Sequence, residues 1–251
     1  MRRIALLLMA MAAALIVASG VAFAVIKDCQ PDIKCVGTPQ TDVLTGTGGS
    51  DRIYGLANSD TLQGLGGGDQ LVGGKGTDDL RGGLVPNTTA TDDGANDTLS
   101  GSGGSDTYIF GNSWGIDTIV DRAIVDETTS TGNRVYFFTT TTGNVVISLE
   151  SDSGPRPEVS NGTNTINWDG NVIDNVNVSL GSSNDTITGN SRANFIATNA
   201  GGGNDNISGG GGNDLINVRD GAANDTVDCG AGNDRVSFDV GDRVFNCEIR
   251  Q

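Results

Sequence analysis

The amino-acid sequence predicts an all-β repeat fold, a solenoid in which short strands stack turn upon turn. Three observations support this prediction: aspartate recurs at every ninth position, an apolar residue follows two positions later, and glycine fills the steps between. A globular core does not need carboxylates at a fixed interval, whereas a stack of identical turns produces them. The first aspartates on this grid are Asp42, Asp51, Asp60, Asp69 and Asp78, followed by Leu44, Ile53, Leu62, Leu71 and Leu80.

Each residue type in the repeat has a physical reason. Glycine permits the positive φ angles of tight turns, where a Cβ atom would clash. The apolar residue at the centre of each three-residue tail predicts a very short strand whose central side chain points inward. The chain has 39 Gly but only 7 Phe, 3 Tyr and 2 Trp. A thin solenoid core of Ile, Leu and Val suits this composition better than one large core.

Two arrays carry the repeat. The first contains GTGGSDRIY (46–54), GLANSDTLQ (55–63), GLGGGDQLV (64–72) and GGKGTDDLR (73–81), and it resumes as DDGANDTLS (92–100) and GSGGSDTYI (101–109). An irregular unit follows around Asp117 and Ile119. The second contains LGSSNDTIT (180–188), GNSRANFIA (189–197), AGGGNDNIS (200–208), GGGGNDLIN (209–217), DGAANDTVD (220–228) and CGAGNDRVS (229–237).

These units resemble the RTX, or haemolysin-type, calcium-binding nonapeptide repeat, G-G-x-G-x-D-x-U-x with U apolar. The resemblance implies a parallel β-roll in which two nonapeptides make one turn. Residues 18 apart would then stack at the strand spacing of about 4.8 Å. Asp42, Asp60 and Asp78 would form one column, and Asp51 and Asp69 the other.

Stacked carboxylates repel one another unless a cation lies between them. Calcium suits such a site, because it takes about 6–8 oxygen ligands, including backbone carbonyls. The resemblance therefore implies several Ca²⁺ ions, and Asn87 and Asn194, which replace the aspartate, mark weakened sites. The candidate metal ligands are Asp42, Asp51, Asp60, Asp69, Asp78, Asp97, Asp106, Asp117, Asp185, Asp205, Asp214, Asp225 and Asp234.

The sequence predicts six segments. They are a signal peptide (1–24), an N-terminal segment with a cysteine pair (25–36), a first repeat array (37–119), a β-rich insertion (120–179), a second array (180–237) and a C-terminal cap (238–251). Within the insertion, 135–138, 145–149, 164–168 and 172–180 are predicted strands. The insertion either continues the solenoid or caps the first array, and Phe137, Phe138 and Trp168 are the candidate residues for an alternative ligand-binding face.

The N-terminus has the pattern of a secretory leader. Arg2 and Arg3 precede an apolar run, and Ala22-Phe23-Ala24 is an A-x-A cleavage site. Cleavage predicts a secreted protein without a membrane span. Uncleaved, the uncharged residues 4–26 are long enough to anchor the chain in a bilayer.

An even number of cysteines in an exported chain predicts disulfides. Their positions favour Cys29–Cys35 at the entry of the roll and Cys229–Cys247 at its exit, among three arithmetically allowed connectivities. Zinc is disfavoured, because the chain has no histidine and no Cys-x-x-Cys pair.

The formal charge of −16 and the pI of about 4.1 argue against binding to nucleic acid or to anionic membranes. The absence of histidine excludes an H-E-x-x-H metalloprotease and a Ser-His-Asp triad, so the G-x-S-x-G match at 111–115 is a chance one. The sequence predicts a secreted, non-enzymatic calcium-binding protein that folds on calcium and serves as a structural or cell-surface adhesion module. The alternatives are a protein that binds a glycan or another partner, and a polysaccharide-acting enzyme on a β-helix scaffold.

Overall fold

The computed structural model describes residues 24–30, 33–83, 94–111, 115–120, 133–138, 146–148, 159–160, 165–168, 175–179, 184–198, 202–221 and 224–251. The predicted leader lies almost wholly outside these residues, as do Asn87 and residues 112–114 of the G-x-S-x-G match. Within the described residues the strands are β1 Ile26–Asp28, β2 Cys35–Val36, β3 Val43–Thr45, β4 Arg52–Ala57, β5 Thr61–Gln63, β6 Gln70–Lys75, β7 Asp79–Arg81, β8 Thr98–Gly103, β9 Thr107–Phe110, β10 Ile116–Ile119, β11 Arg134–Phe138, β12 Val146–Ser148, β13 Val159–Ser160, β14 Thr165–Trp168, β15 Asn175–Ser179, β16 Thr186–Thr188, β17 Phe195–Thr198, β18 Asn206–Ser208, β19 Leu215–Asn217, β20 Thr226–Asp228, β21 Arg235–Ser237, β22 Arg243–Phe245 and β23 Ile249–Arg250.

These strands form two sheets, and successive strands of a turn alternate between them. The first sheet has the order β1-β3-β5-β7-β9-β11-β15-β17-β19-β21-β23. The second has the order β2-β4-β6-β8-β10-β14-β13-β12-β16-β18-β20-β22. Nearly all neighbouring strands are parallel, while β13 runs antiparallel to both β12 and β14. This is the all-β parallel roll that the sequence predicts.

The core consists of apolar side chains stacked in register between the two sheets. On the first sheet, Leu44 pairs with Leu62, Leu62 with Leu80, and Leu80 with Tyr108. On the second, Ile53 pairs with Leu71 and Leu71 with Leu99. All of these side chains are fully buried. The inward position of the apolar residue two places after each aspartate is thereby confirmed.

The middle segment contributes strands to both sheets. β11 pairs with β9 on one side and β15 on the other, and β15 pairs with β17. In the second sheet, β10 pairs with β14, and β12 pairs with β16. The strand order therefore runs from one repeat array into the other within the same two sheets. The side chains of Phe137, Phe138 and Trp168 lie outside the described residues.

The number of residues per turn is not constant. In the first turns it is 18, since Asp42 stacks on Asp60. Asp69 then stacks on Asp97, 28 residues later, rather than on the predicted register partner Asn87. In the second array the period is 20, as between Asp185 and Asp205. The additional residues lie between strands in the sequence, so the strands stay paired.

Both ends of the roll are held by disulfides. Cys29 is bonded to Cys35, and Cys229 to Cys247, as their positions favour. At the C-terminal end, β22 and β23 add the last strand to each sheet. In the predicted C-terminal cap, Val244 packs against the core, but Val240 is 98% exposed and Ile249 is 40% exposed, so these two contribute little to the core.

Among the residues that the structure describes, no helix has the length and apolarity required to cross a bilayer.

Leu62→Ala tests the stacked core. Leu62 is fully buried and packs between Leu44 and Leu80. We expect the free energy of unfolding in saturating calcium to fall by about 2–5 kcal/mol, because truncation leaves a cavity that rigid neighbours cannot fill. Denaturant unfolding followed by circular dichroism measures it. The control is Leu215→Ala, since Leu215 is 41% exposed on β19. An equal loss in both variants would contradict the stacked-core assignment.

Candidate metal centre

Each grid aspartate is buried and lies just before a strand, except Asp117, which is the second residue of β10. The turn before the strand brings its carboxylate to the edge of the sheet, while the apolar residue two positions later points into the core. All thirteen predicted ligands have relative exposures of 4% or less. A buried carboxylate is costly unless hydrogen bonds or a cation compensate for its lost hydration.

Hydrogen bonds between successive turns join these carboxylates into columns. Asp42 donates its backbone N–H to Asp60 Oδ1 at 2.8 Å, and Asp60 donates its own N–H to Asp78 Oδ1 at 2.8 Å. The same contact recurs along both sheets, and we call it the aspartate ladder. It links Asp42-Asp60-Asp78-Asp106-Asn133 and Asp51-Asp69-Asp97-Asp117 in the first half, and Asp185-Asp205-Asp225-Asp242 and Asn194-Asp214-Asp234-Glu248 in the second.

The ladder uses one oxygen of each carboxylate and leaves the other for another partner. In several residues this second oxygen, Oδ2, is buried and accepts no hydrogen bond from the residues that the structure describes. These residues are Asp60, Asp78, Asp214, Asp225 and Asp234. A buried carboxylate oxygen without a donor costs free energy, and a cation would remove that cost.

Glycines provide the room and further oxygen atoms beside this carboxylate oxygen. Gly55 lies against Asp60 Oδ2, and a Cβ atom there would also come within 2.6 Å of the Gly73 carbonyl oxygen in the next turn. Gly46 is placed in the same way, since its Cβ would lie 2.7 Å from Asp51 Oδ2 and against the Gly64 carbonyl. The absence of a side chain therefore brings carboxylate and carbonyl oxygens from adjacent turns together. Both are hard oxygen donors of the kind that Ca²⁺ prefers.

The pKa values of several ladder aspartates are raised by their burial. Burial raises the pKa of Asp78 to about 7, against its usual value of 3.8. The hydrogen bond from the Asp60 N–H lowers it in part, and the charges of Asp60 and Asp79 raise it further. Burial likewise raises the pKa of Asp60, Asp205, Asp214 and Asp225 to about 6. When these carboxylates are ionised, too few neighbouring groups offset their negative charge, and a divalent cation would offset it.

Asparagine can replace aspartate in the ladder, but its side chain is neutral and has an NH₂ group in place of one carboxylate oxygen. Asn194 donates its backbone N–H to Asp214 Oδ1, and its own Oδ1 accepts the N–H of Asn190 at 2.9 Å. Its Nδ2 donates to Asn190 Oδ1 at 3.0 Å. The oxygen beside Gly189 is thus a neutral amide oxygen in place of a charged carboxylate oxygen, which is the physical reason to expect a weakened site at Asn194.

Sequence reasoning left three members of the ladder out of the predicted ligands: Asn133, Asp242 and Glu248. Asn133 accepts the Asp106 N–H at 2.8 Å, and Glu248 accepts the Asp234 N–H at 2.8 Å. Asn133 is followed two residues later by buried Val135, so the repeat's own pattern could have identified it. Glu248 is only 14 residues from Asp234, and that irregular spacing hides it.

Comparison with protein families identifies this arrangement. The model of the RTX calcium-binding nonapeptide repeat (4 copies) matches residues 36–71, 54–88, 87–119, 179–216, 199–222 and 217–244, which together cover more than half of the chain. The chain belongs to this RTX repeat family. Comparison with curated proteins returns no match.

RTX nonapeptide repeats bind calcium, and the donor set described above fits that ion. Family membership confirms the predicted repeat, and the two parallel sheets confirm the predicted β-roll. In this RTX roll, carboxylate and carbonyl oxygens are available at each turn where glycine and aspartate both occupy their consensus positions.

Gly55→Ala and Gly48→Ala form a matched pair that tests the glycine spaces. A Cβ at Gly55 meets Asp60 Oδ2 and the Gly73 carbonyl, whereas a Cβ at Gly48 has nothing within 4 Å. Gly55→Ala should destabilise the calcium-loaded protein by about 1–3 kcal/mol through overpacking and weaken calcium binding. Gly48→Ala should change stability by less than about 1 kcal/mol. Equilibrium unfolding and calcium titration measure both effects, and indistinguishable variants would refute the close approach.

The raised pKa values predict that acid stabilises the metal-free protein. Because the folded-state pKa of Asp78 is about 7 and the usual value is 3.8, the folded state holds more protons between these limits. Its contribution to stability is present below pH 3.8 and lost as the pH rises through about 7. Circular dichroism of the metal-free protein should show a strand content that falls from pH 4 to pH 7.

In the Asp78→Asn variant this fall should be shallower, because the group with the highest of these pKa values is removed. Saturating calcium should flatten the profile, since the ion competes with protons for the same oxygens. A strand content that rises with pH in the metal-free wild type would contradict the assignment.

Proposed function

We propose that this chain is an exported, non-enzymatic calcium-binding roll whose ladder aspartates hold Ca²⁺ ions between successive turns, and that it serves as a structural or cell-surface module. The side-chain ligands are the thirteen aspartates predicted from the sequence, and carbonyl oxygens of the glycine turns complete the coordination. The observation that carries the proposal is the row of buried Oδ2 atoms that accept no hydrogen bond, as at Asp60, Asp78 and Asp214.

The proposed ions would neutralise a chain that otherwise repels itself. The formal charge is −16, and the ladder stacks buried carboxylates on consecutive turns. Many strands have only three residues, as in β3, β5 and β7. Strands this short contribute little stability on their own. Calcium binding is therefore coupled to folding, so that part of the binding free energy is folding free energy.

This coupling suits export. In a compartment with little calcium the chain stays unfolded, and calcium outside the cell folds it. Extracellular calcium modules have dissociation constants of about 10⁻⁴–10⁻³ M, which match such a transition. The disulfides Cys29–Cys35 and Cys229–Cys247 support the same location, because disulfides persist in oxidising compartments. The leader-like residues 1–24 also support it.

A role without catalysis rests on the chemistry of the side chains. The chain has no histidine to serve as a general base. Its buried carboxylates repeat turn after turn, whereas acid-base catalysis uses one or two carboxylates in unlike environments. A stiff, calcium-filled roll is suited to displaying its outer faces to a cell-surface or glycan partner.

A calcium titration of residues 25–251, followed by circular dichroism and native mass spectrometry, tests the proposal. We expect a cooperative coil-to-strand transition with several bound ions, because the buried carboxylates are neutralised only when calcium binds. Asp78→Asn should shift the midpoint to higher calcium and reduce the number of ions. Its amide oxygen can still accept the Asp60 N–H, as Asn133 does from Asp106, so only the second carboxylate oxygen is lost.

Asp28→Asn provides the control, since Asp28 is exposed on β1 and its replacement removes the same charge without touching the ladder. It should titrate like the wild type. Full strand content in a calcium-free preparation at pH 7 would defeat the proposal that the ions fold the chain. An unchanged Asp78→Asn variant would defeat the assignment of the ladder aspartates as ligands.

A further inference from the structure

One turn of the second array carries a carboxylate that the other turns of this array lack, and it is one of the two longer turns. Residues 218–224 separate the end of β19 at Asn217 from Asp225, whereas the shorter segment 209–213 separates the end of β18 at Ser208 from Asp214. The longer turn contains Asp220, a carboxylate that is off the nine-residue grid. Asp220 is partly buried, so its side chain is held against the roll rather than extended into solvent.

The longer turn brings a third carboxylate to a rung of the ladder. One oxygen each from Asp205, Asp220 and Asp225 lies within 4.8 Å of the other two. Asp205 and Asp225 are buried ladder members from consecutive turns, joined by the Asp205 N–H to Asp225 Oδ1 bond at 2.8 Å. Among the residues that the structure describes, only this group brings three carboxylates so close.

A second observation points to a ligand at this position. Asp225 is fully buried, and its Oδ2 atom accepts no hydrogen bond. Its Oδ1 atom is already used by the Asp205 N–H, so Oδ2 is the oxygen left for another partner. The neighbouring Asp242 does not supply one, because it also carries negative charge and its Oδ1 accepts the N–H groups of Asn224 and Asp225.

We propose that Asp205, Asp220 and Asp225 form a three-carboxylate calcium site, and that this site binds Ca²⁺ more tightly than the sites that use grid aspartates alone. The inference deepens the proposed function, since two of the three ligands belong to the ladder. Three like charges at this distance repel one another strongly, and a cation turns that repulsion into attraction. Calcium affinity rises with the number of charged ligands in a site of given rigidity.

The three-carboxylate site also fills before the other calcium sites. As calcium rises, the first ion occupies this rung, while the rungs with fewer carboxylates fill at higher concentration. Because the third carboxylate comes from a loop and not from the grid, Asp220 tunes affinity without altering the hydrogen bonds of the ladder.

Competition of residues 25–251 with a chromophoric calcium chelator tests the proposal. The wild type should show one ion bound more tightly than the rest. Asp220→Asn keeps the size of the side chain and removes its charge, and the tight ion should weaken by about tenfold or more. Asp220→Glu keeps the charge and should retain a tight ion with an affinity between those of the wild type and Asp220→Asn. Asp28→Asn, which removes one charge at the opposite end of the roll, should match the wild type.

The outcomes separate this inference from the proposed function. If Asp220→Asn binds every ion as the wild type does, the three-carboxylate site is refuted, while calcium-coupled folding of both proteins leaves the proposed function intact. If Asp28→Asn weakens the tight ion as much as Asp220→Asn, the effect is one of net charge and the site is again refuted. If the wild type binds no calcium, both proposals fail.

Folding of the variants is checked by circular dichroism at saturating calcium. If Asp220→Asn does not fold at saturating calcium, the affinity of the tight ion is compared in Asp220→Glu instead, because this variant preserves the charge of the turn. A tight ion in Asp220→Glu that is measurably weaker than in the wild type supports the site. An affinity identical to the wild type in that variant refutes it, because the added methylene displaces the carboxylate.

Discussion

The hydrogen bond from a backbone N–H to the carboxylate of the next turn is the contact on which this structure depends. It fixes the stacking distance at the edge of each sheet, and the strands and the buried apolar side chains follow in register. Asp42 and Asp60 show it in its simplest form. The bond also commits one carboxylate oxygen and buries the other, so the contact that builds the roll creates a need for a cation.

Glycine and aspartate act together in this arrangement. At the regular turns, the space beside the carboxylate exists because the residue five positions earlier lacks a side chain, as Gly55 does for Asp60. Where asparagine replaces aspartate, as at Asn194, the hydrogen bond to the next turn remains but the oxygen beside the glycine carries no negative charge. Structural continuity and ion binding are therefore separable: a rung can keep its hydrogen bond and lose its capacity to hold a cation.

Much of this fold could be predicted from the sequence, because each regular turn repeats the same spacing. The columns that begin with Asp42 and Asp51 and the inward position of Leu62 follow directly from the nine-residue grid. The prediction failed where turn length changes: Asp69 stacks on Asp97 across 28 residues. Asn133 and Glu248 were missed for the same reason, since pairing in space tolerates loops that break the period. Asp220 was missed because it is off the grid.

Each rung of the ladder touches only the turn before it and the turn after it. The length of the roll is therefore not set by any contact that spans it, in contrast to a globular core, in which distant segments meet. Gain or loss of a whole turn brings the cut ends of both sheets back into the same register and leaves the disulfide-bonded ends unchanged. The length of such a protein can therefore change by duplication or deletion of whole turns, while its two ends stay the same.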